Sequence, residues 1–363
     1  MKIFTEVFQK NGKLLNGLIE KGNQLYESIY FDFQSSYAYV LTSKVNARIS
    51  FIWEKLDDNE IIDNFLISLE SFIMICNLQE SYEFSLNENN AVFTNGKEKY
   101  EFPYFKDDID TNNFNIINSE NLVILDKNIR TNYLTSLVRY ADNVDTSNLY
   151  GVFIKNNKFV ATDKSKLYEI DTNLIEKTSI NVEFTNVNFP LYLAKIICLN
   201  TESEFKYNAY ENFIHLTIDS NIDILSVNSK KLDLPDQALD NRFYNHETSF
   251  VIDKKDLFKV ASVLDHFLKE VPNQRVHCII LEDELEINIE DFNKVKKFVK
   301  LSNVSKDLIN TSFWISFTSL KNGLGDFKND TIKVQISNNS PAINLSSLDE
   351  KEIQHIVLVR LKD

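Results

Sequence analysis

A chain of 363 residues, 43% hydrophobic and 12% aromatic, is long enough for two or three compact units and too apolar for intrinsic disorder. Its 27 Phe and 15 Tyr against 7 Gly and 5 Pro favour half-buried sheet surfaces over glycine-cradled phosphate loops, and neither G-x-G-x-x-G nor G-K-[ST] occurs. A net charge of −14 is the reverse of what a nucleic-acid-binding domain usually carries.

The N-terminal stretch "MKIFTEVFQKNGKLL" lacks the apolar core of a signal peptide, and no run is long enough to cross a membrane, so a cytoplasmic location without membrane contact is expected. Hydrophobic periodicity predicts helices over 9–19, 70–78, 127–141, 189–199, 254–264 and 318–325, each preceded by a strand and followed by alternating strand-like segments. The six fall into two interleaved sets. "KIFTEVFQKNGKLLNGLIEKG" from Lys2, "NLVILDKNIRTNYLTSLVRYA" from Asn121 and "SFVIDKKDLFKVASVLDHFLK" from Ser249 share one plan and start about a third of the chain apart. A second set, from Phe65, Val182 and Phe313, sits midway between them. Six βαβββ-like units in tandem are the result, with three unrelated α+β domains as the alternative. One helix with several strands cannot cover both faces of a sheet, so the units are expected to pair around shared cores. The expected domains are 1–118, 119–243 and 244–363.

Cys76, Cys198 and Cys278 are isolated in apolar contexts and read as buried thiols, and the five histidines are scattered. No metal or cofactor is expected. The predicted helices are net basic, through Lys10, Lys13, Lys127, Arg130, Arg139, Lys195, Lys254, Lys259 and Lys321, although the chain is acidic. Lysines on solvated helix faces explain this as readily as a surface that touches phosphates without reading bases. The stretch "VATDKSKL" is open to three readings: an ordinary turn, a carboxylate site at Asp163, or part of a docking surface.

Several segments, in order and over essentially the whole chain, resemble the bacterial-type β sliding clamp, the processivity subunit of replicative DNA polymerase. "NLYGVFIKNNKFVATDKSKL" is similar to that family's Leu-Asn-Gly segment followed by Ala-Thr-Asp-Gly-(His/Tyr)-Arg-Leu. "LDLPDQ" (232–237) is similar to the stretch with Phe-Pro-Asp, and "FWISFTSLKNGL" to Ile-x-Phe-Asn-x-x-Tyr-Leu. "FTNGKEKYEF" (93–102) resembles the first domain's edge segment, and "HIVLVRLKD" takes the place of the terminal Met-Pro-Met-Arg-Leu.

The resemblance implies an α+β fold of three tandem DNA-clamp domains forming half of a ring, helices inside and sheets outside. It implies a homodimer closed head to tail around double-stranded DNA, which resolves the charge problem because a ring holds DNA topologically. The basic helix residues named above would line the channel. Tyr100 and Phe102 on an edge strand would meet Phe267 and Leu268 at a helix end across the dimer interface. A cleft for partner peptides of the polymerase and the clamp loader would comprise Leu149, Thr162, Lys164, Ser165, Lys166, Leu167, Pro235, Val357, Leu358, Val359 and Arg360. Lys164-Ser165-Lys166 and Val357-Leu358-Val359 depart from the family pattern, so the peptide preference is expected to have shifted. Thr146, Ser147 and Asn148 replace the arginines and tyrosines that some clamps place beside the Leu-Asn-Gly segment. The Asn-, Ile- and Lys-rich composition suggests an AT-rich genome and a bacteriophage source, with a divergent bacterial protein as the alternative. No enzyme is expected: Asp163, Asp57, Asp58, Asp107, Asp108 and Asp110 are accompanied by no nucleophile, base or metal ligand. The remaining rival is a non-encircling β-rich assembly protein, such as a phage structural component.

Overall fold

The structure, a computed structural model, describes residues 1–19, 22–23, 25–56, 63–106, 109–111, 114, 122–125, 127–144, 149–155, 158–163, 165–171, 187–199, 202–210, 213–226, 246–289, 295–336, 341–348 and 354–361. The Phe-Pro-Asp-like stretch, Lys164, Pro235 and Thr146–Asn148 lie outside the described residues, as do Asp57, Asp58, Asp107 and Asp108.

All six predicted helices are present: Glu6–Leu18, Leu69–Cys76, a composite helix from Lys127 to Tyr140, Leu191–Leu199, Lys254–Leu268 and Phe317–Gly325. The chain switches from strand to helix where a short polar side chain can hold an orphan amide. Ser68 accepts from the Ser71 N–H, Asp253 from Lys255 and Ser316 from Ser319. The composite helix contains a π-helical turn, Arg130–Leu134. The wider turn rotates the helix face, so Arg130, Tyr133 and Tyr140 are buried as well as Leu134 and Leu137.

The chain forms two compact units, Met1–Leu134 with Tyr192–Lys231, and Thr135–Leu191 with Leu232–Asp363. The first holds two antiparallel sheets. One has five strands in the order Trp53–Glu54, Lys2–Phe4, Ser81–Leu86, Asn90–Asn95, Glu98–Pro103. The other has eight, in the order Val123–Ile124, Phe205–Ala209, Ile214–Ile218, Ile222–Ser226, Val45–Ser50, Tyr37–Leu41, Ser28–Asp32, Phe65–Ser68. Phenylalanines fill much of its core: Phe8 meets Phe72 edge-on at 4.9 Å, and Phe31 stacks on Phe65 at 5.2 Å. Gly12 lets the first two helices approach, since a Cβ there would lie 3.0 Å from Ile73 Cγ2.

The second unit is built on one antiparallel sheet of twelve strands. Its order is Val187–Phe189, Val152–Lys155, Lys158–Thr162, Lys166–Asp171, Gln354–Val359, Ala342–Ser347, Thr331–Ile336, Ser249–Asp253, Val295–Ser302, Glu284–Ile289, Arg275–Ile280, Ser312–Ser316. Gly151 begins it at φ +134°, where any Cβ would collide with the Phe189 carbonyl.

Strand pairing repeats three times along the chain. The strand leading into the first helix of each third pairs with the first strand after the second helix: Lys2–Phe4 with Ser81–Leu86, Val123–Ile124 with Phe205–Ala209, Ser249–Asp253 with Thr331–Ile336. The strand leading into the second helix pairs with the first hairpin strand: Phe65–Ser68 with Ser28–Asp32, Val187–Phe189 with Val152–Lys155, Ser312–Ser316 with Arg275–Ile280. Three unrelated α+β domains would not share both pairings. Glu282 and Asp283 lie in the turn between Arg275–Ile280 and Glu284–Ile289.

Candidate functional site

The hairpin Lys158–Thr162/Lys166–Asp171 turns on Asp163, whose Oδ1 accepts from the Ser165 and Lys166 amides at 3.0 and 3.1 Å and from Ser165 Oγ at 2.7 Å. Thr162 Oγ1 donates to the Lys166 carbonyl at 2.8 Å. Asp163 is a turn residue. The turn fixes a register in which Leu167 stands opposite Thr162 on one side and Val357 on the other. Leu149, Leu167 and Val357, all expected in the cleft, pack in one apolar cluster with Phe153, Val160 and Ala342. Sequence reading missed these last three. Phe153 and Val160 are cross-strand partners, so period-two alternation carries the signal for them.

The rim is mixed. Val359 is 40% exposed, Ser165 is exposed and Arg360 is half-buried. The Val359 amide donates to the Ser165 carbonyl at 2.9 Å, holding the C-terminal strand against the hairpin turn. Leu358 is a correction: it is buried at 1% exposure and points to the opposite face, where it lies near Gly323 of the last helix. Strand alternation requires this once Val357 faces the cluster. Thr162 is buried too, its hydroxyl engaged by the turn.

Beside the turn lies a polar knot that sequence reading did not find. The Asp326 carboxylate, 4% exposed, accepts from Arg139 Nη2 and from Ser136 Oγ, and Tyr140 lies beside it. Burial, the largest influence, holds its carboxyl above the usual carboxylate range, while Arg139, Tyr140, Ser136 and Lys166 pull downward without cancelling it. Lys166 Nζ donates to the Arg139 carbonyl at 2.9 Å and sits 5.1 Å above the Tyr140 ring. No local pattern marks this knot, because its members come from positions 136–140, 166 and 326.

The nine helix cations separate into distinct kinds. Arg130 is a correction: it is 4% exposed, donates to the Leu125 and Ser203 carbonyls and lies over the Phe205 ring, inside the core. The π-helical turn carries it there. Lys254 donates to the Phe327 and Lys328 carbonyls. Lys10, Lys127, Lys259 and Lys321 are ion-paired to Asp219, Glu202, Asp256 and Asp265, at 2.7, 2.8, 2.6 and 2.6 Å. Lys13 and Lys195 are exposed.

Tyr100 and Phe102 are half-buried on the strand Glu98–Pro103, against Tyr82 and Phe93 at 6.0 and 5.8 Å. That strand ends its sheet. Phe267 is half-buried against His266, but Leu268 is a further correction, since at 1% exposure it belongs to the core. Across the first unit's central strand pair, Arg48 grips Asp223 Oδ2 at 2.6 Å and His215 Nε2 lies 2.9 Å from Asp223 Oδ1.

The repeated pairings, with the Leu149–Leu167–Val357 cluster beside the C-terminal strand, define the α+β fold of the DNA sliding clamps. Among solved structures, the DNA polymerase III beta chain of Streptococcus pneumoniae TIGR4 matches with a TM-score of 0.81 at 15% identity, covering 100% of this chain and 99% of its own. The DNA polymerase sliding clamp of Bacillus subtilis gives 0.80 at 12% identity, with 100% and 98% covered. The DNA polymerase III beta subunit of Thermotoga maritima gives 0.79 at 13%, with 100% and 99% covered. No protein-family model matches the sequence, and no curated protein matches it.

Proposed function

We propose that this protein is a sliding clamp: a non-enzymatic ring dimer of three-domain protomers (1–118, 119–243, 244–363) that encircles duplex DNA and tethers a polymerase. The clamp loader and other partners would use the same peptide cleft. The observation that carries the proposal is a rule of strand pairing with one unused member. Within the chain, the third strand of a first half-unit pairs antiparallel with the last strand of the next third: Val45–Ser50 with Ile222–Ser226, and Lys166–Asp171 with Gln354–Val359. The same rule leaves Val295–Ser302 of the last third and Glu98–Pro103 of the first without such a partner among the described residues. Glu98–Pro103 ends its sheet, and Val295–Lys300 is paired on one side only, since Val295–Ser302 meets Ser249–Asp253 through Leu301 and Ser302 alone; such open edges are a liability in a free protein. Two copies joined head to tail satisfy both edges twice and close a ring.

Exposed faces support the pairing. Lys296, Phe298 and Lys300 are the exposed side chains on Val295–Lys300, and Glu98, Lys99 and Glu101 lie on the other edge. Lys10, Lys13, Lys127, Lys195 and Lys259 are exposed helix cations, and Lys321 a half-buried one, suited to transient phosphate contact. Apolar Leu149, Leu167 and Val357 with the exposed Val359 suit capture of an extended peptide.

The deciding measurement is retention on nicked circular DNA after loading, followed by linearisation. A clamp stays on the circle and runs off the cut ends. Equal retention on both forms would return the protein to the non-encircling assembly class.

A further inference from the structure

The turn at Asp163 has a counterpart in the first unit. Thr42 Oγ1 accepts from the Lys44 and Val45 amides at 3.3 and 2.9 Å, and the Thr42 amide donates to the Val45 carbonyl. The Asp163 carboxylate and amide engage Ser165 and Lys166 in the same way. Strand register then aligns the two neighbourhoods residue by residue. Asn46, opposite Leu41 and Leu225, takes the place of Leu167, opposite Thr162 and Val357. Tyr30 and Tyr39, opposite one another, take the places of Phe153 and Val160, and Phe213 takes that of Ala342. The last third breaks the pattern: Glu286 and Lys296 hold the places of Val160 and Leu167 and are ion-paired at 2.8 Å.

In the first unit this repeated apolar face is already occupied. Helices cover the Phe31 side of the sheet, where Phe31 meets Phe72 at 5.0 Å, so alternation turns Tyr30 and its partner Tyr39 to the other side. There they pack with Leu66, Leu225 and Phe114, and Ile109 lies against the same cluster. Phe114 comes from the segment that follows the strand Glu98–Pro103. Phe105 fastens the start of that segment to Leu66 by two backbone hydrogen bonds, at 2.9 and 3.0 Å. Phe114, 4% exposed, lies 5.5 Å from the Tyr39 ring, with the Arg48 guanidinium 5.3 Å over its own ring. Its amide donates locally, to the Thr111 carbonyl, so the ring is what anchors this stretch to the sheet. The corresponding segment after Ile222–Ser226 lies outside the described residues.

We propose that residues 109–114 are a self-docked plug: the Tyr30–Tyr39–Leu225 face is a second groove for extended peptides with an aromatic anchor, kept shut by the chain's own Phe114. A tethered segment acts at an effective concentration of roughly millimolar, so a free peptide making the same contacts at micromolar levels does not displace it. The plug rests on the cleft reading for the likeness between the grooves, and its consequence is valence: each chain offers partners one such groove rather than two.

The test uses a peptide copy of residues 105–115, FKDDIDTNNFN, with photoreactive benzoyl-phenylalanine in place of the Phe at position 114. It is irradiated at micromolar concentration with the whole protein, and the label is mapped by mass spectrometry. With Phe114→Ala the label is expected on Ser28–Asp32 and Tyr37–Leu41, and with the wild type at least about tenfold less of it there. Phe114→Leu, the milder truncation, should label to an intermediate extent and decides the matter if Phe114→Ala does not fold. Equal labelling of these strands in wild type and variants shows that Phe114 shuts nothing and overturns the proposal. A folded variant left unlabelled there overturns it too. Label on Lys158–Thr162 or Gln354–Val359 reports the cleft separately. Cleft label without first-unit label removes the plug and leaves the cleft standing; first-unit label without cleft label upholds the plug and removes the cleft.

Discussion

Arg48 and Arg130 look alike in the sequence, as basic residues in amphipathic segments, and the structure buries much of both. Arg130 is the harder to foresee, because a straight helix places it outward and only the π-helical turn brings it under Phe205. Arg48 joins Val45–Ser50 to Ile222–Ser226 through Asp223, lies 4.6 Å over Tyr37, and shares its carboxylate with His215 and Thr217. Burial raises the Asp223 carboxyl, but the hydrogen bonds from His215 and Arg48 outweigh it and the net displacement is downward. A depressed folded value means that the ionised form stabilises the fold above the unfolded value of about 3.9, and that this stabilisation disappears as pH falls through the folded value. Asp223→Asn is therefore expected to cost the first unit about 3 kcal/mol at pH 7, since it strands Arg48. In urea melts the gap between variant and wild type should narrow once the pH drops below about 4. A gap of the same size at pH 3 and pH 7 would mean that the carboxylate's charge does not matter there.

At the scale of helices and strands the sequence was most legible, because periodicity is set by which face must be buried. The helix expected at 254–264 runs on to Leu268, since Leu264 and Leu268 continue the buried stripe. Strand partners were not legible: nothing local in Ile222–Ser226 names Val45–Ser50. The family resemblance implies an interface role for Leu268, yet its spacing from Leu264 assigns it inward. The two mutational outcomes should therefore part. Leu268→Ala should cost about 2–5 kcal/mol of protomer stability as a core truncation. Phe298, 45% exposed on the Val295–Lys300 stretch that is paired on one side only, should behave oppositely. Phe298→Asp should leave the protomer's stability within about 0.5 kcal/mol. It should weaken the dimer by at least about tenfold, through lost apolar burial. Sedimentation at the chain's own mass, with an unchanged melt, is the expected result; an intact dimer would redirect the interface to another edge.

On the scale of the whole molecule, the net charge of −14 and the basic helices were both visible in the sequence. Their relation was not, because the countercharges come from distant positions. Glu202 reaches Lys127 from 75 residues away and Asp265 reaches Lys321 from 56. Each such exposed pair is worth at most about 1 kcal/mol, so a phosphate can displace the carboxylate, but the site gains less than a bare lysine would provide. A ring, as proposed for this protein, would hold DNA by topology without stronger contacts, and stronger contacts would slow its travel. Glu202 is 82% exposed and Asp265 41%, so Glu202→Gln with Asp265→Asn should leave the fold intact while baring Lys127 and Lys321. Binding to short linear duplexes is expected to tighten at low salt. The slope of log affinity against log salt should steepen by about 0.9 for each phosphate newly contacted. Diffusion along the loaded circle should slow in parallel. An unchanged salt slope would show that Lys127 and Lys321 do not face the duplex, and the channel would then have to be redrawn around Lys10, Lys13, Lys195 and Lys259.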